Sequence, residues 1–160
     1  HYRRLFAGSE QEAVVNQFCD RVFELTEFLV QVCRIRLSDQ GPVTSVVLHT
    51  SCAARREMKV HNTARQLLSQ LERVELREQA YESECCGFGG TFSVRHPAIS
   101  EAMVQDKTRH LSEAGAEQLI SADWGCLLNI NGALEYQGKE IKGIHLATFI
   151  LSRLEGHHAQ

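Results

Sequence analysis

The chain has 160 residues, 43% of them apolar and 23% charged, with a net charge of −3 and a pI near 6.3. That length suits one well-buried domain, and the charge balance gives no reason to expect a nucleic-acid or acidic-membrane partner. No apolar run reaches the roughly 18 residues of a membrane span; the nearest, VVNQFCDRVFELTEFLVQVC, is interrupted by Asn16, Asp20, Arg21, Glu24 and Glu27.

Residues 1 to 36 read as two helices. EQEAVVNQFCDRVFEL and TEFLVQVCRI carry apolar residues at helical spacing, with Thr26 as an expected cap of the second. SDQGP, at 38–42, is a breaker cluster and the expected internal boundary, giving a helical lead-in over 1–42 and a main domain over 43–156. VTSVVLHT then reads as a buried strand, followed by a helix over His61–Glu72 and a short strand in RVELRE. Pro97 opens a helix that runs to about Ala114 and closes at Gly115. AEQLISAD, GCLLNINGALEYQ, IKGIHLA and ATFILSRLE follow as strand, helix, strand and helix, and 157–160 is expected to fray. The alternation predicts an α/β fold: a parallel sheet of about four strands flanked by helices, behind a helical lead-in.

The six cysteines fall into two kinds. Cys19 and Cys33 lie in the expected N-terminal helices and read as small apolar packing residues. Cys52 lies just past the first strand, Cys85 and Cys86 past the second, and Cys126 past the third. In an open parallel sheet, sites form outside the carboxyl ends of the strands, and right-handed crossovers bring those ends to one edge. Cysteines far apart in sequence are therefore expected to converge. Without a secretory leader, the thiols are expected to be reduced in a cytoplasmic protein.

Four thiolates from three loops meet the requirement of an iron–sulfur cluster or of tetrahedral zinc. Gly87, Gly89 and Gly90 let the backbone approach and leave amide N–H groups free to point at sulfur. Cys126 is placed to begin a helix, with Ser121 or Asp123 as cap, where the thiolate is favoured. The long intervals between the cysteines match neither zinc ribbons nor bacterial ferredoxins. Spacing alone leaves three readings open: a shared metal or cluster, unrelated buried cysteines, and a thiol–disulfide switch pairing Cys52 with one of the vicinal pair.

The strings HTSCAARREM, ECCGFGGTFSV and GCLLNINGAL narrow this choice. A cysteine, then CCG, then a third site resembles the cysteine-rich CCG domain found in heterodisulfide reductases, in glycolate oxidase iron–sulfur subunits and in anaerobic glycerol-3-phosphate dehydrogenases. The resemblance is strongest to the L-lactate utilisation iron–sulfur subunits and runs to about Leu154. It implies a [4Fe–4S] cluster on Cys52, Cys85, Cys86 and Cys126, with zinc as the alternative. It also implies electron transfer among the other iron–sulfur subunits of a lactate-oxidising complex. Members of that family carry two CCG halves in tandem, and HYRRLF is similar to the stretch after the first. The expectation is a C-terminal half whose partners include its own N-terminal half. The wider pattern ends in C-x-x-C, whereas Asn129 stands three residues after Cys126; this favours a conventional cluster or zinc over a five-cysteine, non-cubane one.

Other features have simpler readings. GFGG lacks the lysine of a phosphate-binding loop. Asp106 and His110 are expected to form a structural pair on one helix face. His49 reads as a half-buried histidine, with zinc ligation as the alternative, and Trp124 as packing. His145 and the His157–His158 pair read as surface or strand-end residues. No flavin or nicotinamide motif is present, so the chain by itself is not expected to oxidise lactate.

Overall fold

The computed structural model describes residues 1–155. Four strands, β1 (Thr44–His49), β2 (Val74–Arg77), β3 (Gln118–Ser121) and β4 (Lys142–His145), form one all-parallel sheet in the order β2-β1-β3-β4. All six residues of β1 are buried, as expected of a central strand covered on both faces.

Three helices precede β1: α1 (Tyr2–Leu5), α2 (Glu12–Cys19) and α3 (Leu25–Glu27), the last running into a π-helical turn at Phe28–Val32. Between the strands lie α4 (His61–Leu68), α5 (Thr91–Arg95), α6 (Pro97–Glu113) and α7 (Trp124–Tyr136), and α8 (Leu146–Glu155) follows β4. Pro97 does open α6, and Gly115 at φ +65 follows its end. The expected fraying of 157–160, with His157 and His158, lies outside the described residues.

Alternation along the strands builds two core layers. Val46, Leu48 and Ile120 pack with Leu67 and Leu68 of α4 and with Phe149 and Ile150 of α8. Val47 and Leu119 point the other way, into Val104 and Leu111 of α6 and Leu127 and Ile130 of α7. Each fully buried Leu or Val contributes roughly 1.5–3 kcal/mol to this packing.

The lead-in differs from its sequence reading in several places. Thr26 is not a cap. The Glu24 carboxylate accepts the N–H groups of Thr26 and Glu27, and Glu27 reciprocates in a capping box. The buried Thr26 hydroxyl meets that of Thr63 at 2.5 Å, tying the lead-in to α4. Neither Cys19, half-buried, nor Cys33, exposed, is a core residue. The lead-in instead packs on the first core layer through Leu29, Val30, Ile35 and Leu37.

Candidate metal centre

The sheet order reverses direction between β1 and β3, so their carboxyl ends form the crevice where doubly wound folds place their sites. Pairing of His49 with Ser121, and of Ser121 with His145, sets one polar row across that edge. Cys52 follows β1, the CCG loop follows β2, and Cys126 lies in the first turn of α7 after β3.

The structure brings Cys86, Cys126 and His49 together. All three are buried, and their ligand atoms lie within 4.8 Å of one another. His49 is two residues beyond Val47 and shares its face, which directs the ring into the layer that holds both cysteines. It is 1% exposed, and neither ring nitrogen has a hydrogen-bond partner. A buried polar group left unmet costs about 1–3 kcal/mol, and the ring together with the two thiols beside it is suited to share a ligand. Zinc ligation by His49 is the minor expectation from sequence; no spacing pattern singles out one histidine at a strand end.

Cys52 and Cys85 fall outside this group of three. Cys52 is exposed and Cys85 half-buried, and Cys52 is among the neighbours that act on the Cys85 thiol. Burial, followed by the neighbouring sulfurs, pushes the Cys85 thiol up, while the Gly87 N–H, 3.4 Å from its Sγ, opposes this. The hydrogen bond between Cys86 and Cys126 holds the Cys86 thiol below the ordinary range and drives Cys126 above it, with the His49 ring and the Phe88 N–H also favouring the Cys86 thiolate. All six cysteines are free thiols.

The glycines divide the work. Gly87 sits at φ +82, where a Cβ would fall 2.6 Å from the Ser100 carbonyl oxygen, and the Ser100 hydroxyl donates back to the Gly87 carbonyl at 2.9 Å. Gly89 and Gly90, also at positive φ, turn the chain into α5. Gly125 admits the Phe88 ring against the start of α7: a Cβ there would meet it at 2.6 Å. Asp123, rather than Ser121, caps α7 by accepting the Cys126 N–H at 3.0 Å.

Two contacts invisible from spacing hold the loops in register. Asn129, one turn after Cys126, donates its amide to the Cys86 carbonyl at 2.7 Å. Glu82 takes Arg55 at 2.6 Å and Arg65 at 2.8 Å, joining the segment after Cys52 to the one before Cys85. Burial would raise the Glu82 carboxyl, but hydrogen bonds from these two guanidinium groups outweigh it and hold it below the usual range. The expected Asp106–His110 pair does not form: His110 Nδ1 lies 3.0 Å from Glu84 and Asp106 pairs with Arg109. The longer loop reaches His110 from the inside, whereas Asp106 is exposed. Trp124 is 60% exposed and stacks on His145 at 5.5 Å.

The cysteine-rich domain family CCG matches residues 46–131, the span from β1 to the second turn of α7, which includes Cys52, Cys85, Cys86 and Cys126. The chain belongs to the CCG cysteine-rich family. Lactate utilization protein A of Shouchella clausii (strain KSM-K16) is 42% identical over 155 residues, covering 95% of this chain and 64% of that protein. Lactate utilization protein A of Geobacillus sp. (strain WCH70) is 41% identical, with the same coverage of each chain. Lactate utilization protein A 2 of Bacillus cereus (strain Q1) is 39% identical, over 96% of this chain and 64% of its own length. The chain thus spans 64% of the length of these relatives. These relatives are named for lactate utilization, and the His49–Cys86–Cys126 group of this chain is a donor set that could hold a metal ion. No helix among the described residues is long and apolar enough to cross a membrane.

Proposed function

We propose that this CCG domain carries a [4Fe–4S] cluster on Cys52, Cys85, Cys86 and Cys126 and passes electrons within a cytoplasmic L-lactate-oxidising complex. The observation that carries the reading is the thiol cluster at the sheet's switch point, lying against a buried histidine whose nitrogens have no partner. Soft thiolates select iron–sulfur clusters or zinc over hard cations, and the Gly87 N–H on Cys85 is the kind of outer contact that tunes a cluster's potential. A bound cluster would take up and return single electrons. The domain would exchange them with the other iron–sulfur subunits and with the tandem CCG half found in its family. Lactate itself would be oxidised elsewhere in the complex.

A second reading has its own observation. A tetrahedral ion with bonds of about 2.0–2.3 Å holds its ligands roughly 3.3–3.8 Å apart, and the His49–Cys86–Cys126 group is nearly that compact. Zinc bound there, completed by Cys85 or Cys52, would make the domain a redox-silent scaffold.

Iron, acid-labile sulfide and zinc, measured per chain after anaerobic purification of the complete protein, separate the two. The electron-transfer reading expects stoichiometric iron and sulfide that disappear in Cys85→Ser. A colourless anaerobic preparation free of iron would overturn it.

A further inference from the structure

We propose that Lys107 is a positioning residue and fixed counter-charge for the thiolate site: a buried ammonium that holds the CCG loop and favours the more negative state of the bound metal. The inference rests on reading that site as metal–thiolate.

Lys107 lies within α6 and is 0% exposed. Lysine is almost never fully buried without a paired charge, because an isolated interior ammonium is costly. No ion pair to it is found among the described residues. The nearby carboxylates are turned to other partners, Glu84 to His110 and Glu82 to Arg55 and Arg65. Lys107 Nζ instead donates to Gln79 Oε1 at 3.3 Å and to the carbonyls of Tyr81 and Glu82 at 2.9 and 3.4 Å. Three acceptors match the three N–H bonds of an ammonium; a neutral amine would turn its lone pair toward one of those oxygens. Gln79 is itself fixed, since its amide donates to the Leu48 carbonyl and leaves its oxygen for Lys107. Neutral oxygens hold the charge without cancelling it.

The placement gives this charge its target. Residues 79–82 lead directly into Cys85, and Tyr81 is held at φ +51, a left-handed conformation that a side chain other than glycine rarely adopts. Lys107 stabilises that conformation by binding the Tyr81 carbonyl. Along α6, Val104 and Leu111 flank Lys107 and pack with Cys86 in the second core layer. The ammonium therefore lies against the segment that leads into the CCG loop, in an interior where a unit charge is far less screened than in water. A metal held by several thiolates is anionic, and a cluster becomes more so on reduction. A nearby fixed positive charge favours both binding and reduction.

The test uses the complete protein, purified anaerobically, with three substitutions. Lys107→Met keeps the apolar stem and removes the charge, Lys107→Arg keeps the charge, and Gln79→Glu sets a neutralising carboxylate against Nζ. The readouts are the midpoint potential of bound iron, or zinc affinity by competition with a chromophoric chelator if zinc is the metal. Lys107→Met and Gln79→Glu are expected to shift the reduction equilibrium about tenfold toward the oxidised form, about 59 mV for one electron, or to weaken zinc about tenfold, with Lys107→Arg close to wild type. If Lys107→Met does not fold, Gln79→Glu decides. Unchanged potential and affinity in a neutralised variant of a metal-loaded protein would overturn the role of Lys107 alone. A wild-type protein that binds neither metal would overturn the site reading and this proposal with it.

Discussion

The two edges of the sheet are built on opposite terms. At the amino edge Asp39 and Glu117 are paired with neighbouring donors. The buried Asp39 carboxylate takes Arg153 Nε at 2.7 Å and the Arg73 N–H at 2.8 Å, and Glu117 takes the Thr44 hydroxyl at 2.5 Å and the Ser45 N–H at 3.3 Å. At the carboxyl edge, the His49 ring nitrogens have no hydrogen-bond partner, two buried thiols stand beside them, and glycines hold the chain in left-handed turns. The first edge spends its polar groups on closing the fold. The second keeps them available, at a cost in stability that ligand binding can offset.

This contrast can be broken in order of expected size. Asp39→Asn leaves Arg153 buried without its counter-charge and should destabilise the protein by about 3–5 kcal/mol, read by urea unfolding, with metal content per folded chain unchanged. Loss of metal without loss of stability would erase the distinction between the edges. Gly87→Ala meets both a positive φ, worth about 1–2 kcal/mol, and the Ser100 carbonyl. It should lower stability by at least that much and metal content with it, unlike the amino-edge change. His49→Leu should act with opposite signs: about 1–3 kcal/mol more stable without metal, because two unmet nitrogens leave the core, yet weaker in metal binding. Stabilisation in both forms would remove His49 from the site.

Acid should loosen the amino edge. Burial would raise the Asp39 carboxyl, but hydrogen bonds from Arg153, Arg73 and Gly41 outweigh it and hold it low; the Thr44 hydroxyl and Ser45 N–H do the same for Glu117. A depressed folded value stabilises above the unfolded value near about pH 4 and is lost as pH falls through the folded one. Hydrogen exchange between pH 6 and 3 should show protection at Thr44–Val46 declining below about pH 4. Asn129→Ala is the mildest test: losing one hydrogen bond to the Cys86 carbonyl should cost about 0.5–1.5 kcal/mol, read by thermal unfolding.

Much of the fold is legible in the residues themselves. VTSVVLHT can only be a buried strand in this context, and Pro97 and Gly115 mark the ends of α6 by backbone preference alone. Convergence of Cys86 and Cys126 follows from parallel topology, which is why cysteines so distant in sequence point to one edge. What the sequence does not reveal depends on partners from other elements. Lys107 looks like an ordinary solvent-facing helical lysine until residues 79–82 fold over it. His110 looks paired with Asp106 until the loop brings in Glu84. Glu24 outcompetes Thr26 as a cap because its carboxylate reaches two N–H groups while the threonine hydroxyl turns to Thr63. His49 carries no spacing signature; only its burial beside two thiols singles it out.

A spectroelectrochemical titration of the complete protein, purified without air, tests whether the carboxyl edge exchanges electrons. The expected result is a visible absorption band that bleaches and returns reversibly with one electron per site and is missing in Cys86→Ser. A protein that is colourless and redox-silent across the titration, with zinc or no metal at the site, would contradict it.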